Sequence, residues 1–291
     1  MKMSYRIDFK NEYTCTIIGL ILNGILTVFK FLAGIFGHSQ AMIADAMHSL
    51  SDGLATAITY IALKLAKKPE DKEHPYGHEN IEVIVSWIVA VILLLTGIFL
   101  GYSAVRTIYH NQYTRPTMIA LYAAIVSIIF KELLYRYTIH VGNILNSPAL
   151  KANAYDHRSD AFSSAGALIG IFGAIYKWQF LDPLAGMIIS IFIVKMGIDI
   201  IREGNKIIMD AMPSENFIND IKKIIETFPD VKQHSNLRIH PVGRHYIMDV
   251  SITVDKNLTV FEGHGIATAL RESLINNKLQ VKDIIVHIEP D

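Results

Sequence analysis

Long apolar runs separated by short polar stretches fill the chain as far as Met212. A helix needs roughly 20 apolar residues to cross about 30 Å of hydrocarbon. The pattern predicts six transmembrane helices, at residues 13–36, 40–66, 81–107, 116–138, 148–177 and 181–203. The third is the clearest, since it has no charged residue from Val83 to Val105. An apolar run of that length is not typical of a buried helix in a soluble protein.

The pattern changes to that of a soluble domain after Met212. Apolar residues recur at helical spacing over 215–228 and 260–277, whereas residues 235–242, 245–254 and 281–288 alternate or cluster like strands. The resulting αββαβ order predicts a small α+β domain with helices on one face of a sheet. We therefore expect a membrane α-helical domain over 1–211 and a cytoplasmic domain over 212–291.

The composition agrees with a protein that lies in a lipid bilayer. Apolar residues make up 51% of the chain and charged residues only 19%, against about 25% charged in soluble domains. The mean hydropathy is +0.32. The 27 basic and 27 acidic residues balance, with no basic block, so nothing indicates a nucleic-acid partner. Cys15 is the only cysteine, which excludes a disulfide scaffold and thiolate-based metal sites.

The charges that flank the apolar segments predict the orientation. The first segment is too long for a signal peptide and lacks a cleavage site, so the N-terminus is expected to stay attached. Basic residues on one side are Lys2, Arg6, Lys10, Lys64, Lys67, Lys68, Lys72, Arg136, Lys151, Arg202 and Lys206. Only Arg106, Arg115 and Lys177 fall on the other side. Because basic residues favour the cytoplasmic side, both termini are expected there.

The second and fifth segments carry charged residues that would cost about 2.5–3.5 kcal/mol each at the bilayer centre. These segments must therefore face the inside of the bundle. His48 and Asp52 are four residues apart, and so are Asp156 and Asp160, which places each pair on one helix face at roughly 6 Å. One imidazole and three carboxylates can ligate Zn²⁺, Mn²⁺ or Fe²⁺, while the lack of thiolate disfavours Cu⁺.

The alternative is that these polar residues only join helices by hydrogen bonds. Two matched pairs with a formal charge of about minus three are too costly at bilayer depth for that explanation. Asp45 shares a face with His48 and is a candidate for a further ligand or a ligand's partner. His157 lies about 100° round the helix from Asp156 and is left out of the ligand set.

Four motifs carry a resemblance to a known family. They are ADAMHSLSDG, HPYGHENIE at 74–82, AYDHRSDAFSSA and the terminal VHIEP. Together they resemble the cation diffusion facilitator family over nearly the whole chain. The resemblance implies a homodimeric six-helix transporter that exchanges a cytoplasmic divalent cation for protons. It also implies a ferredoxin-like, metallochaperone-like cytoplasmic domain and a transport site formed by His48, Asp52, Asp156 and Asp160.

Asp156 departs from the zinc-transporting relatives, which usually carry histidine there. Manganese-transporting relatives often show the D-x-x-x-D pattern found in this fifth segment. Replacing imidazole by carboxylate hardens the site, which suits Mn²⁺ better than Zn²⁺. Since zinc binds more tightly in the Irving–Williams order, geometry would have to provide the selection.

The resemblance also points to a metal site in the loop between segments two and three, with Asp71, His74 and His78 as ligands. Without it, a solvated histidine-rich turn is the ordinary interpretation. In relatives the position of Asn80 is often a lysine that pairs with an acid corresponding to Asp210. Asn80 cannot form that ion pair, so we expect it to be absent.

In the cytoplasmic domain, His234, His264, His287 and Glu289 match regulatory metal ligands of relatives. His287 and Glu289 alternate on one face of the last strand, so both can reach one ion. Ser251 stands where some relatives have a bridging histidine, which argues against a two-metal cluster. The alternative is that these histidines are surface residues or contacts between subunits.

These observations favour a proton-coupled exporter of Mn²⁺, with Zn²⁺ and Fe²⁺ as alternative substrates, in a bacterial inner membrane. Metal binding needs deprotonated carboxylates and neutral imidazole, so protons compete with the metal. Two alternatives remain open, an intramembrane metalloenzyme and a membrane-embedded metal sensor. The enzyme is disfavoured because the chain has no H-E-x-x-H and no pair of E-x-x-H motifs.

Overall fold

A computed structural model describes residues 12–66, 68–145, 147–243, 245–277 and 280–291. Lys2, Arg6, Lys10 and Lys67, which entered the predicted orientation, lie outside the described residues. The chain divides into two compact units. One contains the described residues up to Ala57 and Val89–Asp199, and the other contains the described residues of Ile58–Ile88 and Ile200–Asp291. The loop that follows the second helix therefore belongs to the same unit as the C-terminal domain.

Each predicted membrane segment corresponds to one long helix. The helices are α1 (Glu12–Phe36), α2 (Gln40–Ala66), α3 (Ile81–Tyr109), α4 (Met118–Ile144), α5 (Pro148–Tyr176) and α6 (Leu181–Ile208). Among the described residues, five of them are long and apolar enough to cross a membrane. The sixth is α2, which carries Asp45, His48 and Asp52. The predicted membrane α-helical fold is confirmed.

Small residues allow close contacts between the helices of the first unit. A Cβ atom at Gly97 of α3 would lie 2.7 Å from Val194 Cγ2 of α6. One at Gly170 of α5 would overlap Ala185 Cβ, also of α6. Membrane helices associate through such packing because lipid offers no hydrophobic driving force between them.

A carboxylate from α6 caps the start of α2. The Ser39 hydroxyl donates to Asp182 Oδ1 at 2.5 Å, and the Gln40 backbone N–H donates to Asp182 Oδ2 at 2.7 Å. Asp182 is buried. The first N–H groups of a helix have no partner inside the helix, so Asp182 provides one and joins α6 to α2.

The C-terminal domain has the predicted αββαβ order. It consists of α7 (Glu215–Glu226), β1 (Gln233–Val242), β2 (His245–Val254), α8 (Val260–Asn276) and β3 (Val281–Pro290). The sheet order is β1-β2-β3, with β2 antiparallel to β1 and parallel to β3. The parallel pair requires the crossover that α8 supplies.

The core of this domain forms where both helices pack on the sheet. Buried side chains come from α7 and α8 and from all three strands: Ile221, Ile225, Ile239, Met248, Val250, Ile252, Val254, Leu270, Leu274, Val281 and Ile284. The start of α8 is fixed by a capping box, in which Thr259 and Glu262 each accept the other's backbone N–H.

Candidate metal centres

Three side chains from two helices converge inside the first unit. His48 and Asp52 of α2 and Asp160 of α5 each offer a ligand atom within 4.8 Å of the others. The four-residue spacing places His48 and Asp52 on one face of α2. Among the described residues, no group hydrogen-bonds to the buried Nδ1 of His48. This donor set can hold a divalent cation such as Mn²⁺ or Zn²⁺.

Asp156 is not part of this group. Its side chain is exposed, although the four-residue spacing puts it on the same side of α5 as Asp160. One helical turn, about 6 Å along the helix axis, separates Asp156 from Asp160, and Asp156 is outside the group of donor atoms. The structure thus brings together three of the four residues predicted for the transport site.

His157 lies on the buried side of α5, where it is 2% exposed. Its Nε2 atom would be 3.4 Å from a Cβ atom at Gly19 of α1. This distance is an ordinary van der Waals contact, so the imidazole ring packs close to α1. His157 does not belong to the group of donor atoms around Asp160.

Asp45 forms a buried ion pair instead of joining that group. Lys30 Nζ lies 2.8 Å from Asp45 Oδ2, and both side chains are 0% exposed. Ser163 and Ser164 donate to the same carboxylate at 3.2 and 2.8 Å. An ammonium and two hydroxyls thus engage the Asp45 oxygens, and Asp45 is outside the group of donor atoms around Asp160.

Lys131 of α4 forms a second buried ion pair, with Asp160. Lys131 is 1% exposed and also donates to Asn23 Oδ1 of α1 at 2.7 Å. The sequence interpretation missed both Lys30 and Lys131. A signal existed, since a lone lysine within an apolar span is rare and is expected to pair with a carboxylate.

The loop after α2 holds another group of donor atoms. Asp71, His74 and His78 offer ligand atoms within 4.8 Å of one another, so the predicted loop residues do converge. His74 Nδ1 is 3.1 Å from Asp71 Oδ1, and His78 Nε2 is 3.3 Å from Asp71 Oδ2. Lys68 donates to Asp71 Oδ2 at 2.8 Å. This hydrogen bond, with that from the His74 backbone, holds the pKa of Asp71 well below its usual range.

The same loop contacts the C-terminal domain within the second unit. Asn80 Oδ1 accepts from the Gly243 backbone N–H at 3.1 Å, and His245 Nδ1 lies 2.7 Å from Glu79 Oε2. Lys282 donates to the Tyr76 carbonyl at 2.8 Å. Gly243 has φ +57, and a Cβ atom there would lie 2.6 Å from Glu79 Cβ. Only glycine adopts this positive φ without strain and also avoids the clash with Glu79.

Asp210 pairs with a histidine of β1. Its Oδ1 lies 2.5 Å from His240 Nδ1. Asn80 makes the Gly243 hydrogen bond instead of an ion pair. In place of an ion pair between positions 80 and 210, Asn80 contacts Gly243 and Asp210 contacts His240.

The C-terminal candidates do not converge within one chain. His287 Nε2 lies 3.9 Å from Glu289 Oε1 on β3. His264 and His287 are exposed and His234 is half-buried. Among the described residues, the groups of three or more donor atoms are the two above, and neither includes His234, His264, His287 or Glu289. Ser251 is opposite His287 in the parallel pair.

Comparisons with known proteins match both parts of the chain. The family described as cation efflux transmembrane domain matches residues 16–209, and the cation efflux protein cytoplasmic domain matches residues 213–291. The manganese efflux system protein MneP of Bacillus subtilis (strain 168) is 32% identical over 281 residues, covering 94% of each chain.

Two further relatives illustrate the range of similarity. The magnetosome protein MamB of Magnetospira sp. (strain QH-2) is 35% identical over 264 residues, covering 91% of this chain and 90% of that protein. The solved metal-bound C-terminal domain of the CzcD transporter from Thermotoga maritima is 28% identical. The match covers 26% of this chain and 87% of the solved domain, with a TM-score of 0.25.

Proposed function

The chain belongs to the cation diffusion facilitator family of metal efflux transporters, and we propose that it exports Mn²⁺ from the cytoplasm in exchange for protons. Zn²⁺ and Fe²⁺ are the other cations that the donor set accommodates. The family consists of integral membrane transporters and not of enzymes, which removes the metalloenzyme alternative. The proposed location is a bacterial inner membrane with both termini in the cytoplasm.

The observation that carries the proposal is the convergence of His48, Asp52 and Asp160 within 4.8 Å. We assign these residues as ligands of the transported cation. Asp156, one turn from Asp160, is proposed as the fourth ligand, which an exposed carboxylate can become after a small change of α5 relative to α2. Helix bundles that rock around a central site would expose it to each side in turn.

The preference for Mn²⁺ is inferred from the ligand chemistry and from one relative. Three carboxylates and one imidazole form a harder donor set than two of each, and harder oxygen ligands suit Mn²⁺. MneP, 32% identical over 281 residues, is named as a manganese efflux protein. Both observations point to the same cation.

Proton coupling follows from the chemistry of the ligands. The carboxylates bind the cation only when deprotonated, and the imidazole only when neutral. A proton that binds to Asp52 or Asp160 therefore releases the cation. A higher proton concentration outside the cell would drive the cation out and reset the site.

We extend the proposal to the loop and the C-terminal domain. Asp71, His74 and His78 are proposed to bind a second divalent cation that competes with Lys68 for Asp71. The C-terminal domain is proposed to form a homodimer, since it matches the cytoplasmic domain of cation efflux proteins over residues 213–291. His234, His264, His287 and Glu289 are proposed to ligate a cation together with residues of a second subunit.

The transport assignment is tested with inverted membrane vesicles that carry an acidic interior. Wild-type protein should accumulate Mn²⁺, and accumulation should stop when the pH gradient is collapsed. Asp52→Asn and Asp160→Asn should each abolish uptake, because each removes an anionic ligand while keeping the side-chain size. Asp220→Asn, on the exposed side of α7, is the matched control and should transport at the wild-type rate.

Wild-type rates in Asp52→Asn or Asp160→Asn would disprove the ligand assignment. Mn²⁺ uptake that continues unchanged after the pH gradient is collapsed would disprove the coupling to protons. Binding of Mn²⁺ without any accumulation would favour the membrane-embedded sensor.

A further inference from the structure

Lys131 and a bound cation compete for the same carboxylate. The Lys131 ammonium pairs with Asp160 Oδ2, and Asp160 also belongs to the group of donor atoms with His48 and Asp52. The ammonium is 1% exposed, so water does not screen its charge. Lys131 therefore lies next to the site on which transport depends in the proposal above.

We propose that Lys131 is a tethered cation that exchanges with the transported metal on Asp160. When the divalent cation binds, the Lys131 ammonium leaves the Asp160 carboxylate. When the ammonium returns to this carboxylate, it helps to release the metal. The inference rests on the proposed function. It assigns to Lys131 a role in setting affinity and release, without direct contact between Lys131 and the metal.

Electrostatic repulsion disfavours the simultaneous binding of the metal and the Lys131 ammonium to Asp160. A metal bound to Asp160 would place two positive charges within a few ångströms of the ammonium, in surroundings with a low dielectric constant. Repulsion between charges is much stronger there than in water. The ammonium must move away, and the four-carbon stem of lysine gives it the freedom to do so.

Asn23 provides the position to which the ammonium can withdraw. Its Oδ1 already accepts from Lys131 Nζ at 2.7 Å, from the side of α1. An ammonium that keeps this hydrogen bond after leaving Asp160 is not left without a partner. This lowers the cost of exchange, since an unpaired buried charge is strongly unfavourable.

The Lys30–Asp45 pair is the internal comparison. It is also a buried lysine–aspartate pair, with a 2.8 Å separation, but Asp45 does not belong to the group of donor atoms around Asp160. Removing that pair as a unit takes away no net charge and should therefore change metal affinity much less than removing Lys131.

The test measures Mn²⁺ affinity and transport of the full-length protein in lipid nanodiscs and proteoliposomes. Lys131→Met should bind Mn²⁺ on the order of tenfold more tightly, equivalent to about 1.4 kcal/mol. Its KM and its kcat should both fall, because release is slowed. Asn23→Leu should weaken Mn²⁺ binding, because the ammonium loses its alternative hydrogen-bond acceptor. The double variant Asn23→Leu/Lys131→Met should bind Mn²⁺ like Lys131→Met, because Asn23 acts only through the ammonium.

A purely structural role for Lys131 gives the opposite result, with weaker binding and a higher KM. Lys131→Gln, which retains hydrogen bonding, is measured in parallel in case Lys131→Met does not fold. Unchanged or weaker affinity in the folded variants overturns the proposal. Lys30→Met combined with Asp45→Asn is the control, and if it tightens binding equally the effect is not specific to Asp160.

The outcomes for the two proposals are distinguishable. If Asp52→Asn abolishes transport but Lys131→Met keeps the wild-type affinity, only the role of Lys131 fails. If Lys131→Met binds Mn²⁺ more tightly while the wild-type protein transports no metal, the exporter assignment fails and the competition on Asp160 stands.

Discussion

At the scale of single residues, Asp156 determines how many imidazoles the proposed transport site offers. Asp156→His would give two imidazoles and two carboxylates, a set well suited to tetrahedral Zn²⁺. We expect the ratio of Zn²⁺ to Mn²⁺ transport to rise severalfold. Competing uptake of the two metals into proteoliposomes measures this ratio directly.

Asp220→His, at an exposed position of α7, adds a histidine outside the membrane and should leave the ratio unaltered. A ratio that does not respond to Asp156→His would place metal selection in residues around the ligands or in helix packing.

Residue spacing predicted that His48 and Asp52 share one helix face, and the cost of charge in lipid predicted that this face and Asp160 turn toward the inside of the bundle. Neither argument was sufficient for Asp156, because the rotation and depth of α5 against α2 decide which turn of the helix meets the imidazole. Lys131 was missed for a related reason. Its partner lies on another helix, and local sequence does not determine which helices are adjacent.

At the scale of the elements, Asp182 of α6 fixes the beginning of α2 through Ser39 and Gln40. Asp182→Ala removes both acceptors and leaves buried donors without partners. Hydrogen bonds to a charged group contribute about 1.5–3 kcal/mol each. We therefore expect a marked fall in the midpoint of thermal unfolding, measured in detergent.

Glu132→Gln is the matched control for this change. Glu132 forms an exposed ion pair with Arg136 at 2.8 Å, and such pairs contribute about 0.3–0.5 kcal/mol within a helix. An Asp182→Ala protein as stable as Glu132→Gln would show that the cap contributes little.

Helix ends also mark where apolar pattern and structure differ. The apolar pattern ended the fourth segment at residue 138, whereas α4 continues to Ile144. Hydropathy reports only the part of a helix that lies in hydrocarbon, while backbone hydrogen bonding continues into the polar surroundings. The order of helices and strands was predictable, because it depends on periodicity alone.

At the scale of the whole molecule, the loop after α2 and the C-terminal domain form one compact unit. Lys282 donates to the Tyr76 carbonyl at 2.8 Å and to Glu79 Oε1 at 3.2 Å. Lys282→Met removes both contacts. The amides of residues 70–80 should then exchange hydrogen faster, as measured by mass spectrometry on the full-length protein.

Lys223→Met is the comparison for this experiment, since Lys223 is exposed on α7 and makes only a long 3.8 Å ion pair with Asp220. Equal exchange in the loop of both variants would mean that Lys282 does not hold the loop on the domain.

The two buried lysine pairs also bear on how the protein enters the bilayer. Lys30 and Asp45 belong to the consecutive helices α1 and α2, and Lys131 and Asp160 to the consecutive helices α4 and α5. A lone lysine at the centre of a helix costs about 2.5–3.5 kcal/mol during insertion by the translocon. If each helix enters the bilayer together with the next one, the lysine and the aspartate can enter lipid as a neutral ion pair. Each buried pair would then couple the entry of one helix to that of the next as the nascent chain leaves the translocon.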